Sequence, residues 1–195
     1  DTFVLKSKKG EKIFVTRGMG AREMHTPNGF KRCELVMKTG EKFVATLKES
    51  LILAAELTRI SKFPFREETW LGTGHTVDAS QEFKEAFGYE YFAFVKLPIA
   101  TKLSGIDENI NFLLVVPIYE AEREWCVENH TLAFLEKLKE KYNGKEECAD
   151  FKRKEFIPND LDEDELADYG AMTALGIDKE ALQKLCEYLE QQEYN

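Results

Sequence analysis

The sequence predicts an α+β fold, a mixed and largely antiparallel sheet with helices packed against it and a helical extension at the C-terminus. Three observations carry that expectation. Residues 112–116 form an unbroken apolar run, Phe-Leu-Leu-Val-Val, as a strand buried on both faces requires. Two helix starts follow it closely, one marked by Glu120, Glu122 and Glu124 and one by Thr131 ahead of Leu132, Leu135 and Leu138. The order of elements is strands, helix, strands, helices, without the regular alternation that builds a parallel sheet.

Taken in order, residues 2–5 and 12–16 read as strands joined through Lys8-Lys9-Gly10, a hairpin whose turn uses glycine's access to positive φ. Pro27-Asn28-Gly29 marks a further turn, and residues 31–38 read as a strand with Cys33, Leu35 and Met37 on one face. Residues 48–63 carry a broad apolar stripe that includes Leu51, Leu53, Leu57 and Ile60, with Glu49 and Glu56 expected toward water. Pro64 is expected to end that helix. Residues 91–97 read as a strand closed by Pro98, and Pro117 is expected to stop the central apolar strand.

Tyr142-Asn143-Gly144-Lys145 marks a boundary, which divides the chain into a domain over residues 1–145 and an extension over residues 146–195. In the extension, residues 151–157 read as an edge strand and residues 162–175 as a helix. A last helix starts at Asp178, with Leu182, Leu185, Cys186 and Leu189 on one face. Charge divides at the same place. Residues 1–145 hold 22 Lys/Arg against 21 Asp/Glu and residues 146–195 hold 5 against 15, so the net −9 belongs to the extension. That balance excludes nucleic acid as a direct partner of the extension, since phosphate affinity needs clustered cations.

With 195 residues the chain has room for one sizeable domain and an appendage, and no apolar run approaches the length of a membrane span. It opens Asp-Thr-Phe without a methionine or a signal segment, which suggests an interior or trimmed start. The four cysteines, Cys33, Cys126, Cys148 and Cys186, form no CxxC pair, so neither a zinc knuckle nor a disulfide framework is indicated, and a reducing, cytoplasmic compartment is expected. The sequence leaves the oligomeric state open.

Candidate chemistry is sparse. Gly72-Thr73-Gly74 resembles a phosphate loop, but His75-Thr76-Val77 continues in strand-forming residues where such a loop needs a helix N-terminus. His25, His75 and His130 lie far apart and outside any metal-binding array, so neither metal nor cofactor is expected. There is no GxSxG nucleophile elbow. A small hydrolase or acid–base enzyme would have to use His75 with Glu120 or Glu122; the plainer account has these glutamates stabilising a helix start. Trp70 and Trp125 read as packing residues. One feature invites a binding reading: Asp160, Asp162, Glu163, Asp164, Glu165 and Asp168 crowd like charges that a basic partner would relieve.

The order and spacing of several segments resemble the suppressor-of-fused domain family. They are Thr16-Arg17-Gly18, Cys33-Glu34-Leu35-Val36-Met37, Gly74-His75-Thr76-Val77, and the run from Phe112 through Pro117 to Glu120 and Glu122, within about residues 13–141. The resemblance implies a compact α/β fold and a non-catalytic protein-binding role, with Gly74, His75, Thr76, Pro117, Glu120 and Glu122 as its motif residues. Animal domains of this kind sequester a transcription factor, and bacterial relatives look like immunity proteins that neutralise toxins. The expectation for this chain is a cytoplasmic immunity-type inhibitor whose acidic extension docks onto a protein partner, a basic toxin for instance.

Overall fold

The computed structural model describes residues 1–6, 11–26, 31–40, 43, 45–102, 104–142, 151, 153–175 and 183–184. Six strands form one sheet, β1 (Thr2–Lys6), β2 (Lys12–Thr16), β3 (Cys33–Lys38), β4 (Thr76–Asp78), β5 (Tyr91–Thr101) and β6 (Ile110–Ile118), in the order β1-β2-β3-β6-β5-β4. Among the described residues only the β3–β6 pairing is parallel. The helices are α1 (Leu47–Arg66), α2 (Gln81–Phe87), α3 (Glu120–Asn129), α4 (Thr131–Lys141) and α5 (Glu163–Leu175). The fold is therefore the α+β mixture that the element order predicts.

The strand pattern sorts side chains between two cores. Cys33, Leu35 and Met37 of β3 point with Phe14, Leu113 and Val115 into the core under α1 and α2. Leu114, Val116 and Ile118 point the other way, against Trp125, Phe134 and Leu138 on α3 and α4. That two-sided burial is why the central run carries no polar alternation. Both tryptophans pack: Trp125 is buried and Trp70 is half-buried against the first core.

α1 begins in a reciprocal capping box, with Thr46 Oγ1 accepting from Glu49 N at 3.2 Å and Glu49 Oε2 accepting from Thr46 N at 2.7 Å. It runs through Pro64 to Arg66, past the expected stop. Pro64 falls in the last turn, where a missing N–H costs one bond, and the end closes through Glu67 N to the Phe63 carbonyl at 3.0 Å and Thr69 N to the Pro64 carbonyl at 2.9 Å. Two side chains of the stripe also differ from expectation: Leu51 is exposed, whereas Glu56 is buried and bonded to Arg59.

Pro98 and Pro117 likewise lie inside their strands. β5 has a register irregularity between Lys96 and Ala100, which accommodates Pro98. Along β6 the β3 ladder ends at Leu114, so Pro117 stands where one side of the strand has no neighbour to satisfy. α2 is an element the sequence reading lacks; Ser80 caps its start, accepting from Phe83 N, and Gly88, in the left-handed region at φ +77°, ends it. Residues 153–157 form no strand, contrary to the edge-strand reading. The turns at Lys8-Lys9-Gly10 and Pro27-Asn28-Gly29, the boundary at residues 143–145 and most of the last predicted helix lie outside the described residues. Among the described residues no helix is long and apolar enough to cross a membrane.

Candidate functional site

The segment that carries the predicted acidic cluster is tied to α3 by a buried ion pair. Arg153 donates through Nη2 to Glu122 Oε2 at 2.6 Å and through Nη1 to Glu122 Oε1, in the two-pronged geometry that suits guanidinium and carboxylate. Its Nη2 also donates to the Pro117 carbonyl at 2.8 Å. The remaining capacity of Glu122 is filled by Tyr119 N at 2.9 Å and Phe156 N at 2.8 Å. Both side chains are 0% exposed. Burial works against the charge on Arg153, but the hydrogen bonds and charge of Glu122 outweigh it and raise the guanidinium's affinity for its proton. The Tyr89 and Tyr119 rings, 4.4 Å apart, sit together on one side of the guanidinium, each 5.3 Å from it, and the Tyr119 hydroxyl donates to the Arg153 carbonyl at 2.9 Å.

From this anchor the chain runs across α4 to α5. Leu161, Tyr169 and Met172 are buried against the second core, and the Tyr169 hydroxyl donates to Glu136 at 2.8 Å. Lys137 meets Glu165 at 3.3 Å. Asp162 caps α5, its Oδ1 accepting from Glu165 N at 2.8 Å. With that face turned inward, Asp160, Asp162, Glu163, Asp164 and Asp168 are exposed together on the other. Beside them lies an open groove of about 460 Å³ between the end of α4 and residues 156–161. Lys141, 4.0 Å over the Phe156 ring, and the 47% exposed Ile157 border it.

The predicted motif residues are spread along the sheet and α3. Gly74 adopts φ +90° and donates to the Phe94 carbonyl at 3.0 Å, leading into β4 and not into a helix. The half-buried His75 ring packs edge-on to Trp70 at 4.2 Å. Burial lowers its pKa, and a hydrogen bond with the Trp70 backbone opposes that shift. Thr76 opens β4 opposite Ala93. Pro117 lends its carbonyl to Arg153, while Glu120 is exposed at the start of α3, its N–H bonded to Glu90 at 3.2 Å. His75 does not line that groove. Among the described residues no group of three His, Cys, Asp or Glu converges as a metal site would require. Arg153 is absent from the sequence reading; its one signal is a basic triplet set between Phe151 and Phe156.

No curated protein matches the chain. Among solved structures, the Sufu-Fu complex is similar at 13% identity and a TM-score of 0.50, over 71% of this chain and 67% of that one. Drosophila Suppressor of Fused is similar at 12% identity and a TM-score of 0.51, over 71% of this chain; the match spans 37% of the Drosophila chain. A SUFU homolog from Neisseria gonorrhoeae FA 1090 aligns at 18% identity and a TM-score of 0.47, over 81% and 78% of the two chains. At these identities the likeness to the first two is one of fold. The family model of Suppressor of fused protein (SUFU) matches residues 2–154, and the chain belongs to that family.

Proposed function

We propose that this protein is a non-enzymatic protein-binding module that acts in the cytoplasm, an immunity-type inhibitor whose acidic extension docks onto a basic protein such as a toxin. The observation that carries the reading is the set of exposed carboxylates on α5 and the segment leading into it, Asp160, Asp162, Glu163, Asp164 and Asp168, held toward solvent because the other face of α5 is packed on α4. Five like charges so placed repel one another, and a basic surface would relieve that cost while speeding encounter. The exposed Ile157 and the neighbouring groove supply an apolar contact that would slow release. A protein of similar fold is known in a complex with Fu. In this reading residues 1–145 form the family domain and residues 146–195 the docking extension, with Glu122 and Arg153 fastening one to the other.

An acid–base enzyme built on His75 has less support, since both oxygens of Glu122 are taken by Arg153 and backbone donors and the His75 ring is packed on Trp70. The test is quantitative capture from the native host with the full chain as bait, compared with the D160N/E163Q/D164N/D168N variant. Asp162 and Glu165 are left intact because they hold α5 in place. A protein enriched on the wild type and depleted by at least about tenfold on the variant is the expected result. Equal recovery on both rejects the acidic face as the docking site.

A further inference from the structure

At the other end of the sheet from β4, β1 has one neighbour among the described residues, β2, and its middle is apolar and open: Phe3, Val4 and Leu5 are 42%, 48% and 56% exposed. An edge strand with an exposed apolar middle and no proline is a template for strand addition. Asp1 and Arg17 exchange both backbone hydrogen bonds, at 2.8 and 3.3 Å, which sets the phase of the ladder. Phe3 and Leu5 therefore turn their backbone groups toward β2, whereas Thr2, Val4 and Lys6 turn theirs to the free edge.

We propose that two copies of the chain associate by antiparallel β1–β1 pairing about a two-fold axis through Val4. In that register Val4 opposes Val4, Phe3 opposes Leu5 and Thr2 opposes Lys6, so apolar meets apolar on both faces and the lysine of one copy faces a threonine of the other. The outward groups of Thr2, Val4 and Lys6 are the ones that form hydrogen bonds across the axis, up to about six of them. An axis through Phe3 would instead set the charged Asp1 against the apolar Leu5. A strand that is self-complementary about one residue is what a two-fold interface requires, which selects a second copy over an unrelated strand.

α1 lies at a matching level. Thr2 bonds Thr58 at 2.7 Å, and Lys12, opposite Lys6, reaches Ser50 at 2.8 Å, so the axis at Val4 falls beside Ala54. There an open groove of about 610 Å³ runs between α1 and β1, lined in part by Leu51, Ala54 and Ala55. Pairing turns this groove toward its own image and covers Leu51, which is 62% exposed.

The test is the solution mass of the full chain by sedimentation velocity at up to about 100 µM, a concentration at which micromolar association is saturated. Twice 22.5 kDa is expected for the wild type. The V4P variant should stay at the monomer mass with an unchanged circular dichroism spectrum, because the N–H it removes points away from β2. V4K, which sets two ammonium groups opposite each other, gives the same result if V4P fails to fold. V4C, with Cys148 and Cys186 changed to serine, should close a disulfide between copies under mild oxidation, since directly opposed hydrogen-bonded residues lie about 5.5 Å apart. A wild type that is monomeric throughout overturns the proposal, as does a dimer that V4P or V4K leaves intact or that V4C fails to cross-link.

Discussion

Replacing Arg153 with methionine tests the anchor beneath the acidic extension. The change removes both prongs on Glu122 and the donor to the Pro117 carbonyl, and it leaves a carboxylate buried with two backbone N–H groups as its remaining partners. Orphaning one member of a buried pair costs about 3–5 kcal/mol. Against a native stability of about 5–15 kcal/mol this is a large fraction, and for a chain of this length it lowers Tm by roughly 6–20 °C. Urea unfolding followed by circular dichroism measures it directly. The companion E122M/R153M double variant removes both charges together and should recover much of the loss, because an apolar pair of similar volume is often close to neutral. An R153M protein within about 1 kcal/mol of wild type would refute the reasoning, since it would mean that the pair is solvated.

Further outcomes follow from single side chains. T46A breaks the capping box of α1 and should cost about 1 kcal/mol, read as a fall of roughly 2–4 °C in Tm. Because burial lowers the His75 pKa in the folded state, the unfolded chain binds the extra proton first as pH falls below 6.5, and wild-type stability should decline there more steeply than that of H75Q; parallel curves would contradict this. Burial, reinforced by Glu122, pushes the Cys126 thiol up to about 12, and burial, reinforced by Glu34, raises Cys33 well above the ordinary thiol range. Alkylation at pH 8 mapped by mass spectrometry should therefore leave both intact in the native protein and modify both in denaturant.

How far the fold is legible in the sequence depends on whether a residue's surroundings are local. Cys33, Leu35 and Met37 alternate because one sheet face sets their burial, and the run from Phe112 to Val116 is uniformly apolar because β6 is central with helices on both faces. Those periods survive in one dimension. The prolines mislead because a proline's cost depends on whether its missing N–H had a partner, and at Pro117 the answer lies in where β3 stops alongside. α2 is short, yet Ser80 and Gly88 flank it with readable cap signals.

The same limit applies to the site. The acidic start of α5 is visible as composition, and its exposure follows from the Tyr169 face turned inward. Glu122 reads as a helix-start carboxylate, and it does accept from Tyr119 N in that capacity. Its larger role needs Arg153, 31 residues away, and no local pattern joins the two.

The central claim is that charge on α5 guides a protein partner to this surface. Its most direct measurement is the association rate of the captured partner with the wild type and with D160N/E163Q/D164N/D168N, at about 50 and about 300 mM salt, over which the screening length falls by more than half. The account predicts a rate that falls steeply with salt for the wild type, and a lower, flatter dependence for the variant. Identical rates and slopes for the two proteins would contradict it.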